Sequence, residues 1–144
     1  MLVARKDTVI LAKGYGFANR EWNIPVQSNT RCRIASLTKQ FTGMLIMQLK
    51  QAGKLNPQAT ISTYLPWYPR HIGTRVTIHQ LLTHTAGIPN FTNRPDFFSS
   101  VGRQEFSTRD FVLKYCTDSL VSKPGTKFNY SNTGYYILGA IIEE

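Results

Sequence analysis

Ser36 and Lys39, in Ser36-Leu37-Thr38-Lys39, lie three residues apart and share one face of a helix if the helix begins at the serine. The serine hydroxyl then sits at the positive end of the helix dipole with the lysine amine one turn below it. That is a way to make a nucleophile. A desolvated lysine amine loses proton affinity and can take the proton of a serine otherwise too weak to attack a carbonyl. The spacing has a plainer alternative, an N-cap serine followed by a surface lysine. A second cluster follows at Tyr130-Ser131-Asn132, where residues i and i+2 of a short loop can present a phenol and an amide to one cleft. The phenol can relay a proton and the amide can hold a substrate carbonyl. Its plainer alternative is a buried tyrosine beside an N-cap asparagine.

The elements that must position these groups can be read around them. From Leu37 through Phe41, Met44, Leu45, Ile46, Met47 and Leu49 the apolar residues cover most of a helix circumference, which predicts a buried helix of four to five turns ending at Gly53. Lys123-Pro124-Gly125-Thr126 is a turn signal, Lys127-Phe128-Asn129 a short extended piece, and Tyr135 to Ile142 an apolar run that reads as a helix capped by Ser131 or Asn132. Thr77-Ile78-His79-Gln80 has the form of a capping box opening a helix that ends near Gly87. Ser107-Thr108-Arg109-Asp110 looks like another helix start, and Asn90 to Phe106 reads as loop. Leu2-Val3-Ala4, Arg5-Lys6-Asp7 and Thr8 to Ala12 read as a first hairpin.

The wording around the two clusters resembles the penicillin-recognising serine hydrolases. The matching stretches are Arg33 to Thr42, Gly53-Lys54-Leu55, Tyr64-Leu65-Pro66, Val76 to Pro89, and Pro124-Gly125 ahead of Tyr130-Ser131-Asn132. Tyrosine opens the second motif where class A β-lactamases have serine. That points to the branch holding class C β-lactamases, D-alanyl-D-alanine carboxypeptidases, D-aminopeptidases and family VIII esterases. The resemblance implies Ser36 as acylated nucleophile, and Lys39 as its proton acceptor or as the charge that lowers the tyrosine pKa. It implies Tyr130 as proton shuttle and Asn132 as holder of the substrate amide or ester side chain. Lys39 and Tyr130 would titrate as a coupled pair, and the Ser36 N–H would supply half of an oxyanion hole.

These enzymes also carry a third motif, Lys-Thr-Gly or His-x-Gly, on a strand near their carboxyl end. No Lys-Thr-Gly occurs here, and the chain ends at Glu143-Glu144 just after the helix that follows the second motif. The expectation is therefore an α+β, β-lactamase/transpeptidase-like fold that is incomplete, with the first β-hairpin, most of the helical subdomain and no carboxyl-terminal strands. Residues 1–144 would form a single partial domain, 1–35 a sheet hairpin and lead-in strand, and 36–144 the mainly helical part. As an internal or N-terminal portion of a longer enzyme, it would take missing strands from a complementing segment or a homo-oligomer. The implied function is a serine hydrolase acting through an acyl-enzyme on an ester, a β-lactam or a peptidoglycan-type D-amino-acid peptide. The alternative is an inactive fragment or pseudoenzyme that keeps part of the fold for binding or assembly.

Composition narrows the other classes. Lys and Arg give a formal charge of +9, but they are dispersed along the chain with no run longer than Arg5-Lys6, which argues against a nucleic-acid groove. His71, His79 and His84 lack a ligand pair with a carboxylate, so no metal and no cofactor is expected; within Leu82 to Gly87, His84 resembles a structural position of the family, which implies that it orients a loop rather than acting as base. Cys32 and Cys116 give no disulfide framework, and Cys32, alternating with Arg31 and Arg33, is expected to face the interior from a strand. No signal peptide and no run long enough to span a membrane is read. Localisation stays open, because carboxypeptidase and β-lactamase relatives act outside the cytoplasmic membrane and many esterase relatives inside it.

Overall fold

Residues 1–144 are described by a computed structural model, in which Met1–Ala35 and Ser36–Glu144 are separate compact units. Two antiparallel hairpins make up the first. Strands β1 (Leu2–Arg5) and β2 (Thr8–Ala12) pair with Leu2 opposite Ala12, and Lys6 takes a φ of 52° in the turn between them. Strands β3 (Phe17–Asn19) and β4 (Ile24–Pro25) form a shorter pair that the sequence reading did not anticipate. Residues 30–34 adopt no strand and Cys32 is exposed, contrary to the expected inward-facing cysteine. With no ladder partner, the alternation of this segment has no sheet face to obey.

The second unit is helical. A 3-10 turn at Ala35–Leu37 leads into α1 (Thr38–Gln51), and the short helices α2 (Ile61–Tyr64), α3 (Arg70–Gly73) and α4 (Ile78–Leu82) follow. The expected capping box is present: Thr77 Oγ1 accepts from the Gln80 N–H at 3.2 Å, and Gln80 Oε1 accepts from the Thr77 N–H at 3.0 Å. The helix stops at Leu82 instead of near Gly87, because His84 already stands in the left-handed region at φ 57°. Helix α5 (Thr108–Tyr115) starts where expected, with Ser107 Oγ accepting from the Asp110 N–H.

Helix α6 (Asn132–Glu143) is the centre of this unit and packs against α1, α4 and α5. Its Ile137, Leu138, Ala140 and Ile141 join Ile46, Ile61, Leu65, Ile78, Leu81 and Val112 in one buried cluster. Gly134 packs directly over Leu81 of α4, where a Cβ would meet the Leu81 carbonyl oxygen at van der Waals distance, 3.4 Å. Tyr68 closes the far side, its hydroxyl donating to the buried Cys116 carbonyl at 2.6 Å, and burial raises both its phenol and the Cys116 thiol above their ordinary values.

Helix α1 corrects the expectation of burial all round. Lys39, Thr42, Gly43, Ile46 and Leu49, spaced three and four apart, form the half-buried to buried stripe, and only Ile46 is fully covered. Leu37, Phe41, Met44, Leu45 and Met47 are exposed, Phe41 by 64%. An apolar circumference registers what a helix is able to bury, whereas the burial achieved depends on which neighbours pack against it; α6 supplies one. Gly53, at φ 70°, ends the helix as expected, with the Lys54 N–H donating to the Leu49 carbonyl.

Candidate active site

Lys39 belongs to the stripe of α1 that faces α6, and this places its amine beside the first turn of α6. Lys39 Nζ donates to Asn132 Oδ1 at 2.7 Å and lies 3.4 Å from Ser36 Oγ. Ser36 Oγ is 2.7 Å from Tyr130 Oη. The four residues singled out by type and spacing thus meet in one cluster, although some ninety positions of chain separate the two pairs. Tyr130 is 41% exposed and Ser36 is exposed, so the hydroxyl pair opens to solvent while the amine lies half-buried behind it. Just before Ser36, Ala35 takes a φ of 45°, a conformation that costs a non-glycine residue about 1 kcal/mol.

The electrostatics follow from the lysine. Lys39 Nζ stands 4.9 Å from the centroid of the Tyr130 ring and 5.5 Å from that of Tyr135. Lys39, and after it the Ser36 hydrogen bond, lowers the Tyr130 phenol below its ordinary 10.0, because both favour the phenolate. Tyr135 moves the other way, raised by burial and by Tyr130, and its hydroxyl donates to the Leu82 carbonyl at 3.1 Å.

Asn132 is held by residues that sequence reasoning had left in an unassigned loop. Its Nδ2 donates to Thr92 Oγ1 at 3.1 Å, and its backbone N–H donates to Asn90 Oδ1 at 3.1 Å. Asn90 also caps the 3-10 turn Phe91–Asn93 by accepting from the Thr92 N–H. Ser131, not Asn132, caps α6, its Oγ accepting from the Gly134 N–H. Thr133 fastens the turn to α6: its buried hydroxyl accepts from the Phe91 N–H at 2.9 Å and donates to the Pro89 carbonyl at 2.7 Å. No motif flags these residues; an Asn-x-Thr ahead of a phenylalanine-rich loop is a local turn signal, and its partner lies forty residues on.

Thr133→Val keeps the shape and leaves two backbone groups without a partner in the interior. It is expected to lower stability by about 2–3 kcal/mol, read from the urea midpoint.

His71-Ile72-Gly73 is a His-x-Gly, but it lies on α3 with Ile72 and Gly73 buried, and so offers no strand edge. Among His, Cys, Asp and Glu side chains no three come together as a metal set. No helix is long and apolar enough to cross a membrane.

Comparison with known proteins identifies the family and the fold. A family model described as Beta-lactamase matches residues 1–144. Protein flp of Staphylococcus aureus is 35% identical over 99% of this chain, which spans 29% of that protein's length. A penicillin-binding protein of Bacillus halodurans superposes with a TM-score of 0.75 at 36% identity, over 89% of this chain and 38% of its own. The hydrolase EstCE1, described as having promiscuous acyltransferase activity, reaches a TM-score of 0.80 at 28% identity, over 99% of this chain and 40% of its own. The expected α+β, β-lactamase/transpeptidase-like fold is thus the observed one, spanning well under half of each of these proteins. Matched by that model along its whole length, the chain belongs to the beta-lactamase family, among the penicillin-recognising serine hydrolases.

Proposed function

We propose that this chain carries the nucleophile and proton-handling groups of a serine hydrolase that works through an acyl-enzyme on Ser36. The observation that carries the reading is the single hydrogen-bonded cluster of Ser36, Tyr130, Lys39 and Asn132. In acylation, Ser36 Oγ attacks the substrate carbonyl as its proton passes to the Tyr130 and Lys39 pair. The C=O electron pair moves to the oxygen, and the Ser36 N–H donates to that oxyanion. Collapse of the tetrahedral intermediate breaks the bond to the leaving group, which takes the proton back from Tyr130. Water then attacks the ester by the same route, with Tyr130 accepting its proton and Ser36 recovering one. Asn132, with Oδ1 on Lys39 and Nδ2 on Thr92, retains one N–H for a substrate carbonyl.

The substrate is an ester, a β-lactam or a D-amino-acid amide. Each presents a carbonyl with a leaving group that must be protonated, and relatives named as a penicillin-binding protein, a D-amino acid amidase and a hydrolase support the class. The test is turnover of p-nitrophenyl butyrate, nitrocefin and a D-Ala-D-Ala peptide side by side. Hydrolysis of at least one, abolished by Ser36→Ala, is the expected result. No turnover of any of them would favour retention of the fold for binding alone.

A further inference from the structure

His84 is attached to three consecutive residues around the phenol. Its carbonyl accepts from the Asn129 N–H at 2.8 Å, its ring lies 4.6 Å from that of Tyr130 at a 35° tilt, and its Nδ1 accepts from the Ser131 N–H at 3.2 Å. On its other sides the imidazole meets Tyr135 at 5.1 Å and the edge of Phe128 at 5.8 Å. The backbone φ of 57° aims the side chain into this stack instead of continuing α4. An amide N–H can only donate, so Nδ1 must be unprotonated and the imidazole neutral, with its hydrogen on Nε2.

We propose that His84 is a positioning residue whose neutral imidazole holds Tyr130 against Ser36, so that protonating it loosens the segment 129–131 and slows acylation in acid. The effect on rate rests on the functional reading above; the coupling of His84 to Tyr130 and Ser131 does not. The charged and titratable groups that face the imidazole are Lys39 from α1, Tyr130 from the loop before α6, and Tyr135 from α6. Burial first, and then the Lys39 charge, lowers its proton affinity below the ordinary 6.5. The sign follows: well above 6.5 the imidazole is neutral whether folded or unfolded; stability falls as pH drops through 6.5 toward the lower folded value, and the loop loses its order as pH passes that lower value. A proton on Nδ1 takes the lone pair that Ser131 uses and puts a second cation beside Lys39.

Two variants separate the side chain from the backbone. Asparagine tolerates a left-handed φ and places Oδ1 where Nδ1 stands, without titrating; glycine keeps the conformation and removes the acceptor. The experiment follows the isotope-labelled chain by NMR from pH 8 to pH 5, together with the rate at which a fluorophosphonate labels Ser36. The expected result is an Nε2–H tautomer at pH 8, with the Ser131 amide and Tyr130 ring resonances shifting at the midpoint of His84. Labelling of the unmodified chain should fall over the same interval. His84→Asn should label within about threefold of it at pH 8 and lose only the part of the acid fall that follows the His84 midpoint, keeping the dependence that belongs to Tyr130, and His84→Gly should label about tenfold more slowly throughout. Ser131 and Tyr130 resonances that ignore the titration, or an Nδ1–H tautomer, would overturn the proposal. Resonances that follow His84 in a chain that never labels would sustain the positioning role and overturn the hydrolase reading.

Discussion

Lys39→Ala is expected to slow acylation of Ser36 by about a thousandfold, measured as the rate of covalent labelling. The amine lies 3.4 Å from Ser36 Oγ and 2.7 Å from Asn132 Oδ1, and it is the largest cause of the lowered Tyr130 phenol. Its removal therefore withdraws one member of the coupled pair proposed to take the Ser36 proton, with it the charge that favours the phenolate, and the partner that orients the Asn132 amide. Lys39→Arg separates these roles. Arginine restores the positive charge but does not give up its proton, so it should recover the orientation of Asn132 and little of the rate. Recovery to within tenfold by arginine would show that charge alone is needed. The alanine variant should also move the alkaline limb of the rate upward, toward the ordinary tyrosine value of 10.0, because the largest cause that lowers Tyr130 is gone and only the Ser36 hydrogen bond still lowers it.

Tyr130→Phe should reduce the labelling rate by about a hundredfold or more with little change in stability. The substitution deletes the oxygen 2.7 Å from Ser36 Oγ and keeps the ring that stacks on His84. Tyr130 is substantially exposed, so its hydroxyl adds little to the core. The pH profile gives the sharper sign. With the phenol below its ordinary value, the rate of the unmodified chain should rise with pH through a midpoint below 10, and that limb should vanish in the phenylalanine variant. A limb that survives unchanged would assign it to another group.

The residues of the proposed site were legible because their relation is local. Ser36 and Lys39 face one way for the same reason any i and i+3 pair does, and Tyr130 and Asn132 sit two apart at a helix start. The capping box at Thr77 and Gln80 and the cap at Ser107 were equally plain, since each uses side chains within three residues of the donors they satisfy. What escaped depended on partners remote in sequence. Asn90 and Thr92 look like turn residues until α6 delivers Asn132 to them, and Thr133 looks like an ordinary helix residue until Pro89 and Phe91 reach its hydroxyl. Helix α1 is the reverse case: its composition promised burial all round, and the packing against α6 covers one stripe. Cys32 failed for a related reason, because strand alternation has meaning only where a ladder forms.

The most direct test is to treat the chain with a fluorescent penicillin or a fluorophosphonate, weigh it intact, and map the modified peptide. The account predicts one added acyl or phosphonyl group on Ser36, absent in Ser36→Ala and strongly slowed in Lys39→Ala. An adduct on any other residue, or no adduct under conditions that label a penicillin-binding protein control, would contradict the claim that the Ser36, Lys39, Tyr130 and Asn132 cluster is an acyl-transfer site.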